Sequence, residues 1–228
     1  MKHSKKYNES LKLIDSKKRY DAKEAFDLAK QTAKTKYDST IRVAIKLNVD
    51  PKQADQQIRG ALVLPNGTGK TQKVLVVTSG AKEEEAKTAG ADFVGGKDML
   101  DKIKGGWLDF DVLVATPDMM GELGKLGKIL GPKGLMPNPK TGTVTMNIAQ
   151  AISEIKKGKI EYRVDAAGNI NCNIGKASFT ADALADNYKT LFNAIAKARP
   201  SSIKGVYIQN VSISADMGPG IKVAYSVE

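Results

Sequence analysis

Pro65-Asn66-Gly67-Thr68-Gly69-Lys70-Thr71 runs directly into Gln72-Lys73-Val74-Leu75-Val76-Val77-Thr78. The Gly-Lys-Thr triplet after an apolar stretch invites a phosphate-binding loop. That pattern needs a glycine five positions before Gly69, where this chain has Leu64. A phosphate-binding loop also opens a helix, whereas Lys73 to Thr78 reads as a strand. The stretch is therefore a turn where the chain leaves one domain and enters another. The patterns on its two sides support this. Upstream, Ile41, Val43, Ile45 and Leu47 alternate with Arg42 and Lys46, as in a half-exposed antiparallel strand with cations on its open face. Downstream, Val74 to Val77 is an unbroken apolar run, which fits a strand buried on both faces.

Working outward from the turn, Lys5 to Arg19 reads as a short basic helix with Leu11, Leu13 and Ile14. Asp21 is the N-cap of a second helix reaching about Lys34, with Glu24 placed to complete a capping box. Ile58 to Leu64 is a further strand. Beyond the turn, strands and helices alternate. Glu83–Ala89 is helical and stopped by Gly90, Asp92-Phe93-Val94 is extended, and Lys97–Lys104 is helical. Asp111–Thr116 is a buried strand, Pro117–Leu130 a helix, Thr143-Val144-Thr145 a short strand, and Asn147 caps a helix through Lys157. After Gly158 the alternation of half-buried strands returns at Lys159–Val164 and Asn169–Ile174. A helix over Thr180–Ala198 follows, then a hairpin of Ile203–Ser214 and Ile221–Val227.

The expected fold class is an α+β outer domain, an antiparallel sheet with helices, holding an inserted α/β (Rossmann-like) domain. The outer domain is 1–66 plus 158–228, and the insert is 67–157. Gly67, Gly69 and Gly158 sit at the two crossings and form a hinge on which the halves move as rigid bodies.

Net charge is +11, from 36 basic and 25 acidic residues, and points to a polyanionic partner. The charge is unevenly placed. The insert holds 13 Lys, no Arg and 11 acids, a net of +2, while the outer domain carries +9 and all of Arg19, Arg42, Arg59, Arg163 and Arg199. Arg forks suit phosphate and stack on bases, so the outer domain is the polyanion surface. No stretch of eighteen apolar residues spans a membrane, and the start Met1-Lys2-His3-Ser4-Lys5-Lys6-Tyr7 is no secretory signal. The one cysteine, Cys172, shares a face with Ile170 and Ile174 and reads as a small core residue in a reducing cytoplasm. With it and the one histidine, His3, there is no set of side chains for a metal centre or a nucleophile, so no cofactor, metal or catalytic residue is expected. Asp109, Asp111 and Asp118 flank a strand, where carboxylates commonly cap. They are all that the alternative, an enzyme acting on a phosphorylated substrate through the insert, has to stand on.

RNA is favoured over duplex DNA, because no helix-turn-helix, zinc finger or basic zipper is visible. Folded RNA with exposed bases suits loops of polar and flat groups. Lys36-Tyr37-Asp38-Ser39-Thr40 supplies a cation, a ring and hydroxyls. Ser214-Ala215-Asp216-Met217-Gly218-Pro219-Gly220 supplies an exposed-looking methionine and glycines.

Gly131-Pro132-Lys133-Gly134-Leu135-Met136-Pro137-Asn138-Pro139-Lys140-Thr141-Gly142 reads as a long ordered loop, since its prolines and glycines exclude regular structure. This string closely resembles the L-one family of large-ribosomal-subunit proteins. So do the basic amino end, Tyr37-Asp38-Ser39-Thr40, the crossover at Gly67 and Met217-Gly218-Pro219. The resemblance implies a non-enzymatic, cytoplasmic protein, monomeric outside the ribosome and not membrane-bound. It implies binding to the 23S rRNA stalk region, assistance to release of deacylated exit-site tRNA, and repression of its own operon mRNA. It places RNA contacts at Lys5, Lys36, Thr40, Lys46, Arg163 and Ser214, with Tyr37 and Met217 packing on nucleotides and Gly218, Pro219 and Gly220 allowing close approach. Two positions depart from the family pattern. Asp216 stands where Thr is usual, and Tyr37 where Phe is common. A carboxylate beside phosphate is unfavourable unless it accepts from a base amino group or a 2′-hydroxyl.

Overall fold

The computed structural model describes residues 4–80 and 82–225. The expectations for Met1-Lys2-His3, and for Ser226-Val227 at the end of the last strand, lie outside the described residues, and within them that strand stops at Lys222, with Val223 making only an isolated bridge to Tyr20. Backbone contacts divide the chain into two compact units, Met1–Gly69 with Ile160–Glu228, and Lys70–Lys159.

Helix α1 covers only Lys5–Leu11, with the Ser4 hydroxyl accepting from Tyr7 N–H at 3.3 Å. The basic run to Arg19 continues as turns, because beyond Ile14 it offers no apolar stripe to bury. Helix α2 is Ala22–Thr32 and is capped by Asp21, which accepts from Lys23 N–H at 3.4 Å. No capping box forms, since Glu24 pairs instead with Lys18 at 3.1 Å. Strand β1, Thr40–Leu47, buries Ile41, Val43, Ile45 and Leu47 almost completely. Each such burial contributes about 1.5–3 kcal/mol. Strand β2 is Arg59–Val63.

In the second unit β3, Val74–Val77, is buried at every position. It is followed by α3, Lys82–Thr88, β4, Phe93–Gly95, α4, Lys97–Lys104, and β5, Val112–Ala115. Strand β3 lies between β4 and β5 and is parallel to both. One face of this sheet packs Val76 and Val114 against Ala86 of α3 and Ile152 of α7, the helix Ile148–Lys156. The other face packs Leu75 and Leu113 against Ile103. Two covered faces are what the unbroken apolar run required.

The single helix expected over Pro117–Leu130 does not form. A 3-10 turn at Pro117–Met119 leads into α5, Met120–Lys125, and α6, Gly127–Leu130, with the break at Leu126. Gly121, Gly124 and Gly127 each weaken the helix, so tertiary packing of Leu123, Leu126 and Leu130 sets its shape. Thr143–Thr145 is not a strand; Val144 makes one isolated parallel bridge to Ala115. The loop before it is ordered. Leu135 and Met136 pack on the core, Asn138 N–H donates to the Thr143 hydroxyl at 2.8 Å, and the loop ends in a short turn at Pro139–Thr141.

The chain then enters β6, Lys159–Arg163, β7, Asn169–Lys176, and α8, Ala181–Lys197, which Thr180 caps. It ends in β8, Ile208–Ala215, and β9, Ile221–Lys222. Strand β8 starts later than expected because Arg199 holds the preceding segment in a turn, donating to the Ile203 and Gly205 carbonyls at 3.0 Å each. The larger sheet has the order β7-β1-β8-β9, and β2 with β6 forms a separate ribbon. Phe26, Leu184, Leu191 and Val211 help fill the core of this unit.

The boundaries fall slightly later than the sequence suggests, for a local reason. Asn187, fully buried in α8, accepts from Asn66 N–H and donates to the Gly67 carbonyl, both at 3.0 Å. Gly67 is thereby tied to the first unit.

Candidate nucleic-acid interface

With Ile41, Val43, Ile45 and Leu47 turned to the core, the period of two sends Arg42, Ala44 and Lys46 to the opposite face. Register writes the rest of that face. Arg42 lies between Asn173 and Ser214, Ala44 between Asn171 and Ser212, and Lys46 between Asn169 and Asn210. Ser212 in turn pairs with Lys222. The result is an open face of amides, hydroxyls and cations, all able to hydrogen-bond to sugar, phosphate or base edges.

The two loops singled out in the sequence meet at one end of this face, although about 180 residues separate Lys36 from Met217 in the chain. Thr40 N–H donates to Asp216 Oδ2 at 3.0 Å, and Asp216 N–H donates to the Thr40 carbonyl at 3.1 Å. Arg42 Nη2 stands 3.1 Å from Asp216 Oδ1. The carboxylate that departs from the family pattern is thus a structural clasp, balanced by a local cation. The first loop is held further by Asp38, which accepts from Ser178 N–H at 3.1 Å and its hydroxyl at 2.8 Å. Lys176 Nζ donates to the Thr40 hydroxyl at 3.0 Å.

What this frame presents is apolar and exposed. Tyr37 is 58% and Met217 84% accessible. Met217 is also, among the described residues, the one non-glycine with a positive φ, +62°. A left-handed methionine costs roughly 1 kcal/mol or more of strain and persists only where the surroundings impose it.

The expected contact residues distribute unevenly. Lys36, Tyr37 and Met217 line one cleft. Ser214 is half-buried beside Arg42 on the open face, and Lys5 is exposed in the first turn of α1. Thr40 is half-buried and engaged through its hydroxyl and backbone. Lys46 donates to the Ala167 carbonyl. Arg163 is exposed but lies on the β2–β6 ribbon, apart from the larger sheet. Pro219 is buried, so it shapes its loop and does not reach outward. A Cβ on Gly218 would lie 3.2 Å from the Ala215 carbonyl, whereas one on Gly220 would meet nothing within 4 Å. Only Gly220 leaves open space for a partner's close approach. Gly67, Gly69 and Gly158 have φ of +66°, +71° and +96°. Sequence reasoning missed Arg42, Lys176 and the amides of β7 as site residues. The repeat Asn169-x-Asn171-x-Asn173 was the available signal.

Elsewhere, Lys70 of the Gly-Lys-Thr triplet pairs with Asp111 at 2.5 Å, and Lys73 with Asp109 at 2.8 Å. Asp111 also accepts from Lys73 N–H at 3.1 Å, just before β3. Burial pushes the Cys172 thiol up to about 12. Among the described residues no helix is long and apolar enough to cross a membrane.

An open face of cations, amides and hydroxyls with an exposed ring and thioether at its end is chemically suited to RNA, and comparison with known families gives the class of protein. A profile of the Ribosomal protein L1p/L10e family matches residues 29–219. The chain belongs to this family, and with it to the structural proteins of the large ribosomal subunit that bind rRNA.

Proposed function

We propose that the first unit grips the stalk region of 23S rRNA through the open face of β7-β1-β8-β9 and the paired loops at its end. The observation that carries this reading is the clasp at Thr40 and Asp216, which joins the two loops whose exposed Tyr37 and Met217 line one cleft together with Lys36. Arg42, Lys36 and Lys5 take phosphate and sugar, while Tyr37 and Met217 pack on nucleotides. The second unit swings as a body on the Gly67–Gly69 and Gly158 crossings, and this movement assists release of deacylated tRNA from the exit site. The same RNA surface binds an rRNA-like structure in the protein's own operon mRNA and represses its translation. Outside the ribosome the protein is a cytoplasmic monomer.

The test is a salt titration of the full chain on a stalk rRNA fragment. Specific binding that falls linearly in log salt, and that an operator mRNA fragment competes away, is expected. Equal affinity for unrelated RNA would end the stalk assignment, and an mRNA fragment that fails to compete would end the repressor role alone.

A further inference from the structure

Both faces of the β4-β3-β5 sheet are covered, but its rim is not. In open α/β sheets ligands gather beyond the carboxyl ends of the strands, where the strand order reverses. Here that point is the gap between β3 and β5, since β4 and β5 flank β3 on opposite sides. Val77 pairs with Ala115, and one step beyond them stand Thr78 and Thr116. Ala115 also bridges to Val144, and one step beyond that stands Thr145. The period of two turns this row of threonines to the side of Val76 and Val114, the face that α7 covers. Thr78 and Thr116 are almost completely buried, and neither hydroxyl has a partner among the described residues. The Thr145 hydroxyl accepts from Asn147 N–H at 3.1 Å, which leaves its proton to give. Neighbouring strands lie about 4.8 Å apart, so one tetrahedral anion spans two such hydroxyls.

Thr145 opens onto a groove of about 340 Å³ within the second unit. Asn147 and Gln150 form one wall, and Pro139 and Gly142 of the long loop form another. The amino end of α7 lies on this side. Asn147 Oδ1 takes Gln150 N–H at 3.3 Å, while the N–H groups of Ile148 and Ala149 have no partner among the described residues. No acid stands in that first turn. Lys82 Nζ, 3.4 Å from the Met146 carbonyl, adds positive charge. Hydroxyls, free helical N–H groups and a cation are the donors that hold a phosphate group. The one acid lining the groove, Glu154, comes about two turns further along α7. Its oxygens take Gln150 Nε2 and Lys159 Nζ at 2.9 Å each. Each oxygen keeps a lone pair, which suits a hydroxyl donor.

We propose that this groove binds a phosphate monoester of a small polyhydroxy molecule, a sugar phosphate or a mononucleotide. The phosphate enters by way of Thr145 and bridges the Thr145 and Thr116 hydroxyls at the amino end of α7. Thr78, one strand further in, extends the polar floor. The hydroxyls of the remainder reach Glu154 and Gln150. The groove is near the lower limit of ligand pockets in size, with room for one such molecule. The long loop supplies a wall and a constraint. A Cβ on Gly142 would lie 2.9 Å from Lys159 Nζ, so glycine there leaves the ammonium on Glu154. The site lies within the second unit and does not rest on the RNA-binding reading. It is a binding site, in which no bond is made or broken.

The experiment titrates the full, isotope-labelled chain with inorganic phosphate, ribose phosphate and adenosine monophosphate at fixed ionic strength, and follows backbone amides by NMR. Saturable shifts are expected at Thr116, Thr145 and Ala149. Ribose phosphate is expected to bind about tenfold tighter than inorganic phosphate, the worth of about one hydrogen bond. A further gain with adenosine monophosphate identifies a mononucleotide, and equal affinity identifies a sugar phosphate; either supports the site. Thr145→Val and Thr116→Val each cost about tenfold in affinity. Thr116→Val also keeps or raises the melting temperature, because its hydroxyl has no partner to lose in the free protein. The site is overturned if the shifts grow without saturating, or if they gather only at Lys36 and Arg42 of the first unit. It is equally overturned if ribose phosphate binds no tighter than inorganic phosphate, if both variants bind as the parent does, or if Thr116→Val lowers the melting temperature. None of those results touches the RNA-binding reading, which the salt titration tests separately.

Discussion

The two sheets of this protein are built from differently patterned strands, alternating in one and unbroken apolar in the other, and are put to opposite uses. In the β4-β3-β5 sheet both faces are covered, by α3 and α7 on one side and by α4 and the α5–α6 segment on the other. In the β7-β1-β8-β9 sheet one face is core and the other is open, so every second residue is available for recognition. A doubly covered sheet has no surface to offer, which leaves it a rigid body. A singly covered sheet is a platform whose chemistry is written independently of the core. The same contrast separates the loops. Gly131–Gly142 is the most conspicuous stretch of the sequence, yet its apolar pair Leu135-Met136 turns inward. The plainer loops around Tyr37 and Met217 put their apolar groups outside.

An aspartate placed in each sheet is the strongest way to break this comparison. Val76→Asp buries an unpaired charge and is expected to cost 4 kcal/mol or more, unfolding the second unit. Ala44→Asp, on the open face, is expected to leave the melting temperature nearly unchanged while RNA affinity falls. Thermal unfolding and RNA binding on the same two variants decide it, and comparable destabilisation by both would mean that the larger sheet is covered after all.

A smaller effect sharpens the role of the exposed pair. Tyr37→Ala and Met217→Ala each should cost about 1–3 kcal/mol of RNA binding with no loss of stability. Met217→Gly should lose the same affinity while gaining up to about 1 kcal/mol of stability, because glycine tolerates the left-handed backbone. Chemical denaturation beside filter binding separates the two quantities, and a destabilised Met217→Gly would remove the strain argument.

Cys172 gives a probe of the platform's buried side. With burial lifting the thiol to about 12, it should stay unmodified by a thiol reagent at pH 8 and react only after denaturant is added. Rapid labelling of the folded chain would show that β7 opens locally.

The least effect is expected at the entry to the second unit. Burial draws the Asp111 carboxyl upward, but Lys70 and the Lys73 N–H outweigh it and hold it below the usual carboxylate range. The folded form binds the proton less readily than the unfolded chain, so the stabilisation is present above about pH 4 and is lost as pH falls below it. Asp111→Asn should flatten that acid-side slope and cost about 1 kcal/mol or less at pH 7, the pair being largely exposed. An unchanged slope in pH-dependent unfolding would mean the ion pair does not persist in solution.

Much of this architecture follows from periodicity alone. The alternation in Ile41–Leu47 names a half-open strand, the run Val74–Val77 names a covered one, and the break between them locates the inserted unit. These are local properties, set by which side chains follow one another. The fragmented helix over 117–130 was not legible in that way, because three weak glycine positions left its course to core packing. The site was legible only in parts. Sequence picks out the tyrosine loop and the methionine loop separately, on composition. Their meeting depends on β1 pairing with β8, a contact between segments far apart in the chain, and only the folded register decides it. The same register sets Arg42 against Asp216 and converts an apparent electrostatic liability into a clasp. It also lines up the asparagines of β7 with the cations of β1. Residue order determines what each strand can bury, whereas long-range pairing determines which exposed groups become neighbours, and recognition depends on the neighbours.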